Sequence, residues 1–137
     1  MPHQALFAAA LAARANAYAP YSRYKVGAAV LTPDGAIYAG ANAENAAYPL
    51  GTCAEAGAIA AMVAAGGREI VAVAVVGGEP GDGTLCTPCG GCRQRIREFA
   101  RPETPVHVCG PEGLRRTLTL AQLLPLSFGP ENLPPAF

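Results

Sequence analysis

The spacing of apolar positions changes several times along the chain, and each change marks an element. Residues 4–17 are rich in Ala and Leu, with interspersed polar positions that suit an amphipathic helix, and Pro20 closes the segment. VGAAVLTPDGAIYAGAN reads as two strands around the Asp34-Gly35 turn, and ENAAYPLGT as a loop. From Cys53 to about Ala65 the chain is almost pure Ala, Ile and Met, the makings of a buried helix ended by Gly66-Gly67. EIVAVAVVG is β-branched and apolar without alternation, which predicts a central strand covered on both faces. GGEPGDGTLCTPCGG is a loop, GCRQRIREFA a short helix and PVHVCG a second buried strand. LRRTLTLAQLLP predicts a brief strand or turn before a last helix, and the tail SFGPENLPPAF is Pro-rich and irregular. The order α-β-β-α-β-α-β-(β)-α predicts an α/β protein, a mixed sheet with helices on both faces. Without an internal repeat or linker, residues 1–137 read as a single domain.

Composition narrows the function classes. A chain of 137 residues buries roughly 70% of its unfolded surface and needs no disulfides. Ten basic and ten acidic side chains cancel. A sequence-independent nucleic-acid binder needs a surplus of Lys and Arg, and so does a polybasic membrane surface. Neither partner is expected. MPHQALFAAALAARANA resembles a secretory signal only faintly, because it lacks a basic leading region and Arg14 interrupts its apolar run. No run is long enough to cross a bilayer, so a cytoplasmic location is the expectation. There the five cysteines are thiols or metal ligands rather than disulfides.

The cysteines carry the chemistry. Cys86, Cys89 and Cys92 are evenly spaced in LCTPCGGC, and either adjacent pair forms the C-x-x-C half of a zinc site. Cys53 supplies the other half, at a predicted helix start where the dipole favours a thiolate. Cys89 and Cys92 are preferred to Cys86: Pro88 sets the turn, Gly90-Gly91 allow close wrapping, and Cys92 opens the next helix. A redox dithiol in this loop is the alternative, and Cys86 and Cys109 otherwise read as ordinary thiols. Three protein ligands leave a tetrahedral position open, as in catalytic sites. The only histidines, His3 and His107, lie beside neither cluster. Cys86 in the fourth position would instead make the site structural. Glu55 is the only charged residue in TCAEAGAIAAM, and a carboxylate there is costly unless it is used. Residues i and i+2 do not share a helix face, so Glu55 is poorly placed to join Cys53 as a ligand. It is placed to take a proton from water at the open position.

Cys53-Ala54-Glu55 followed by PCGGCRQ resembles the cytidine deaminase family, in its short, homotetrameric, three-cysteine branch. PYSRYKVGAAVL, GANAENAAYPLGTCAE and LLPLSFGPENL match it too, in order, so the resemblance covers Tyr18 to Leu133. It implies a three-layer α/β/α sandwich around a mixed, mostly five-stranded sheet. It implies that Cys53, Cys89 and Cys92 hold Zn²⁺ and that Glu55 shuttles protons from water to N3 and to the departing amine of cytosine. The activity it implies is hydrolysis of the exocyclic C–N bond of free cytidine and 2′-deoxycytidine, giving uridine, 2′-deoxyuridine and ammonia in pyrimidine salvage. Asn42 and Glu44 resemble the pair that grips the ribose 3′-hydroxyl, and the backbone at Ala54 would bond the pyrimidine. Tyr24 stands where the family usually has Phe by the base. Phe128 resembles an aromatic lent to a neighbouring subunit's site, and Tyr48 falls in another shared region. The resemblance thus implies a homotetramer with shared active sites.

Many relatives carry Arg directly after the catalytic Glu, bonded to the thiolates; here that residue is Ala56. Three thiolates and Zn²⁺ leave a net charge of −1. The helix N-termini at Cys53 and near Cys92, backbone N–H donors and Arg93 are the candidates to offset it. Three rival readings remain. A blasticidin S deaminase would not need Asn42 and Glu44. A polynucleotide editor would want a basic stripe. A non-catalytic zinc module would not need Glu55.

Overall fold

The structure, a computed structural model, describes residues 2–135. Its elements are α1 (Pro2–Ala15), β1 (Gly27–Leu31), β2 (Ile37–Ala41), α2 (Ala54–Ala64), β3 (Ala72–Val76), α3 (Gly90–Phe99), β4 (Pro105–Gly110), β5 (Gly113–Thr119) and α4 (Leu120–Leu123). The strands form one five-stranded sheet in the order β2-β1-β3-β4-β5. β3 and β4 run parallel, joined through α3, and the other pairs are antiparallel. The predicted element order and mixed sheet are borne out.

Alternation across the pleat builds the layers. Val30, Val73, Val75, Val106 and Val108 face α2 and α3 and pack on Ile59, Met62 and Ile96. Their neighbours Ala29, Ala72, Ala74, Val76 and Cys109 face α1 and meet Leu6 and Ala10. Every residue of β3 is buried, which explains its unalternating apolar run.

The predicted brief strand or turn after Gly113 is instead a full strand of 7 residues. β5 is an edge strand with no fully buried residue, and the polar run Arg115, Arg116 and Thr117 hides its period. The last helix is correspondingly short: α4 has 4 residues, started by a reciprocal capping box between Thr119 and Gln122.

The contact that places the site is between β2 and α2. A Cβ at Gly40 would fall 2.4 Å from the backbone nitrogen of Ala58 and 2.6 Å from the carbonyl oxygen of Ala54. The first turn of α2 therefore lies directly on the β2 backbone. Gly40→Ala is expected to destabilise the fold by about 1–3 kcal/mol, the usual cost of overpacking, read as a lower urea midpoint at unchanged slope.

Candidate active site

Two helix N-termini converge on one spot. Cys53 is the N-cap of α2 and Cys89 the N-cap of α3, while Cys92 lies in the first turn of α3. The helix that Cys92 was expected to open thus starts earlier, with Cys89 at its cap. The Cys53 thiol makes no bond back to its own helix, which leaves that sulfur free to bind elsewhere. The Sγ atoms of Cys53 and Cys89 are 3.9 Å apart, and the three sulfurs lie within 4.8 Å of one another. A tetrahedral zinc with bonds of about 2.3 Å would set its sulfurs about 3.8 Å apart, so the cluster fits this ion. A thiolate set also suits zinc in its softness. Among the described residues this trio is the only such cluster.

Burial pushes the Cys53 and Cys92 thiols up, whereas the Cys92 backbone N–H donates to Cys89 and holds its thiol below the ordinary value. Cys86 stays outside the trio, on the wall of the same cleft. Its thiol, raised by burial, meets the Tyr24 hydroxyl, and burial and that contact push Tyr24 up to about 12. Cys109 lies on the α1 side of the sheet with its Sγ 3.7 Å from the His107 carbonyl, and burial raises it to about 11. His107 meets Thr117 at 2.9 Å and the ring of His3 at 5.4 Å, apart from the sulfurs.

Glu55 is the second residue of α2 and only 4% exposed. Burial drives its carboxyl above the ordinary carboxylate range; its own backbone N–H, the Cys92 thiol and the charge of Arg95 pull the other way. It shares a cleft of about 300 Å³ with Cys53, Cys89, Ala54, Asn42, Glu44 and Tyr48. Glu55 thus stands beside the sulfurs and faces a space that can admit a small molecule.

Asn42 and Glu44 are tied to the chain that overhangs this cleft. Asn42 accepts from the Val26 N–H at 2.9 Å and donates to the Tyr24 carbonyl at 2.9 Å. Glu44 accepts from the backbone N–H groups of Tyr21 and Ser22 at 2.9 and 3.0 Å, and from the Ser22 hydroxyl. The Ser22 hydroxyl, then the backbone N–H groups, hold the Glu44 carboxyl below its ordinary value of 4.5. This anchor is therefore complete above pH 4.5 and is lost only as the pH falls through the lowered value. Tyr24 is not on the cleft lining, and its hydroxyl sits behind Cys86. Tyr48 is 74% exposed, with its ring edge-on to Tyr21 at 5.7 Å. Phe128 is 57% exposed and lines no part of this cleft. Its tail is strapped to α3 instead: Gln94 donates to the Phe128 carbonyl at 2.8 Å, and Arg97 binds Ser127 and Glu131.

Arg93, expected as a candidate to offset thiolate charge, is committed elsewhere. Its guanidinium donates to the carbonyls of Pro88 and Leu123 at 2.7 and 2.6 Å and to Thr87 Oγ1 at 3.2 Å. It ties the cysteine loop to α4. Two residues near the site were not singled out from the sequence. Ser22 gives no signal outside the folded loop. Arg95 does give one, since it stands three residues after Cys92 on a helix.

Paired helix N-termini that present three thiolates on one side of a cleft, with a buried acid beside them, define a hydrolytic zinc centre. The chain belongs to the family described as the cytidine and deoxycytidylate deaminase zinc-binding region, which matches residues 1–108. It is 41% identical over 133 residues to a cytidine deaminase of Halalkalibacterium halodurans, covering 97% of this chain and 98% of that one. It is 42% identical over 123 residues to a cytidine deaminase of Mycobacterium tuberculosis, covering 89% and 86%. The crystal structure of a cytidine deaminase from Burkholderia pseudomallei superposes with a TM-score of 0.83 at 44% identity, covering 93% of this chain and 100% of that one. With α1 on one face of the five-stranded sheet and α2 and α3 on the other, the chain has the three-layer α/β/α arrangement that the resemblance implies. No helix among the described residues is long and apolar enough to cross a membrane.

Proposed function

We propose that this protein is a zinc-dependent deaminase that hydrolyses free cytidine and 2′-deoxycytidine to uridine and 2′-deoxyuridine, releasing ammonia in pyrimidine salvage. The observation that carries the reading is a buried Glu55 beside the Cys53, Cys89 and Cys92 sulfurs, in a cleft that also holds Asn42 and Glu44. Cys53, Cys89 and Cys92 hold the ion. Bound zinc acidifies its water and so supplies a nucleophile near neutral pH. Glu55 is the proton carrier: it takes a proton from the attacking water and delivers it to N3 of the base as the oxygen bonds to C4. It then takes the proton of the new C4 hydroxyl and passes it to the amine, so that the C4–N bond breaks, ammonia leaves and a C4 carbonyl remains.

The sugar reading follows from what Asn42 and Glu44 have left to offer. An amide nitrogen carries two N–H donors, and Asn42 spends one on Tyr24. A carboxylate offers about four acceptor sites, and Tyr21 and Ser22 occupy three at Glu44. Asn42 thus keeps an N–H donor and Glu44 an acceptor, and a hydroxyl can use both. The 3′-hydroxyl, present on both nucleosides, is the group they bind. Ala54 opens α2, where backbone N–H groups lack intrahelical partners, and its backbone binds the pyrimidine edge. Tyr24 stiffens the wall at Cys86, and Tyr48 covers the cleft mouth.

Residues 1–137 act as one domain, working in the cytoplasm as a homotetramer whose subunits share sites. Phe128, exposed on a strapped tail, is then an aromatic face for a neighbour's bound base. Ammonia release from free cytidine by the zinc-loaded protein tests the activity; no release at full zinc content overturns it. Glu44→Gln, assayed alongside, is expected to raise KM about tenfold with a smaller effect on kcat, because it removes a charged acceptor from the substrate and loosens the loop.

A further inference from the structure

Three thiolates around Zn²⁺ leave an excess negative charge, and the residue after Glu55 is Ala56, which brings none of its own. Arg93 is taken up by carbonyls and Thr87. Arg95 is placed differently. It lies one turn beyond Cys92 on α3, and helical side chains lean back toward the N-terminus. Its Nη1 donates to Cys92 Sγ at 3.8 Å. Gly91 leaves room for this, since a Cβ there would come within 3.1 Å of the same Nη1. Cys92 itself is fully buried, so water does not screen its sulfur.

We propose that Arg95 is a positioning residue for the metal centre, offsetting thiolate charge at Cys92 Sγ with a guanidinium supplied from the next turn of α3. This rests on Cys53, Cys89 and Cys92 holding zinc. A cation donating to a ligand sulfur stabilises the bound ion through that sulfur and draws electron density from it. Both effects depend on the charge and vanish with a neutral amide at the same place.

The test uses Arg95→Gln and Arg95→Lys of the full chain, titrated with zinc against a competing chelator and then reloaded with Co²⁺. Arg95→Gln is expected to bind zinc about tenfold more weakly. Its sulfur-to-cobalt charge-transfer band is expected to move to lower energy, because the unneutralised sulfur is more electron-rich. Arg95→Lys keeps the charge and is expected to fall closer to the parent in both readings. A parent that binds no zinc overturns the three-cysteine reading itself. A parent that binds zinc, with a Gln variant equal to it in affinity and band position, overturns only the role of Arg95. Lys and Gln variants that fail equally overturn the claim that charge is the operative property.

Discussion

Glu55→Gln is expected to lower kcat on cytidine by about 10²- to 10⁴-fold while zinc content stays at the parent's level. Gln has nearly the shape of Glu, and at this position it keeps the cleft wall intact. What it lacks is a basic oxygen. The reaction moves the two protons of the attacking water, one to N3 and one to the leaving amine. Glu44 lines the same cleft, but Tyr21 and Ser22 hold its carboxylate, and Glu55 is the acid that meets the cysteine cluster. Its burial has a second consequence. At 4% exposure the carboxylate is held in a poorly solvated place, and its ionised form carries a desolvation cost. An uncharged amide avoids that cost, so the variant's melting temperature is expected to equal or exceed the parent's. Metal analysis, calorimetry and ammonia release on the same preparation check all three statements. A variant that keeps more than a tenth of the parent's turnover would remove Glu55 from the proton path.

That pairing of lost activity with retained stability reflects how the site was legible in the sequence. Glu55 stood out because it is the lone charge in an apolar helix, a conflict between local pattern and burial that the proposed proton-carrying role would resolve. Cys53, Cys89 and Cys92 were legible for a related reason: C-x-x-C spacing and a helix start both constrain where sulfur can point. The buried strand β3 showed in an unbroken apolar run, because burial on both faces leaves no place for polar residues. β5 did not, since an edge strand has only one neighbour and none of its residues is fully buried, so polar side chains are tolerated along it. Asn42 and Glu44 read alone as solvated loop residues, and their placement came from family resemblance. Only the fold shows that they hold the 21–26 segment by its backbone. Arg93 and Arg95 are adjacent in kind and nearly so in sequence, yet one binds carbonyls and the other a thiol. That difference is a matter of which helix face each occupies: Arg95 stands three residues after Cys92, on its face of α3, whereas the sequence pointed to Arg93.

Cys92→Ser is expected to lose zinc and activity together. Its sulfur is the fully buried member of the trio and the one joined to Arg95. Structural zinc in small peptides is worth about 10–16 kcal/mol over four ligands, so one thiolate accounts for roughly 2.5–4 kcal/mol. At about 1.4 kcal/mol per decade, the apparent zinc affinity should fall about 10²- to 10³-fold. The serine hydroxyl remains neutral and is a harder donor, so it replaces neither the charge nor the softness of the thiolate. The loss should also be visible in stability. The ion would join the N-cap of α2 to the first turn of α3, so it binds the folded chain and stabilises it by mass action. The parent's melting temperature should therefore climb with added zinc, whereas that of Cys92→Ser should stay flat over the same concentrations. A melting temperature in the serine variant that follows zinc as the parent's does would mean that Cys92 is not a ligand. Cys53 and Cys89 alone would then have to hold the ion with a donor from elsewhere, and Cys86, on the wall of the same cleft, is the thiol to replace next.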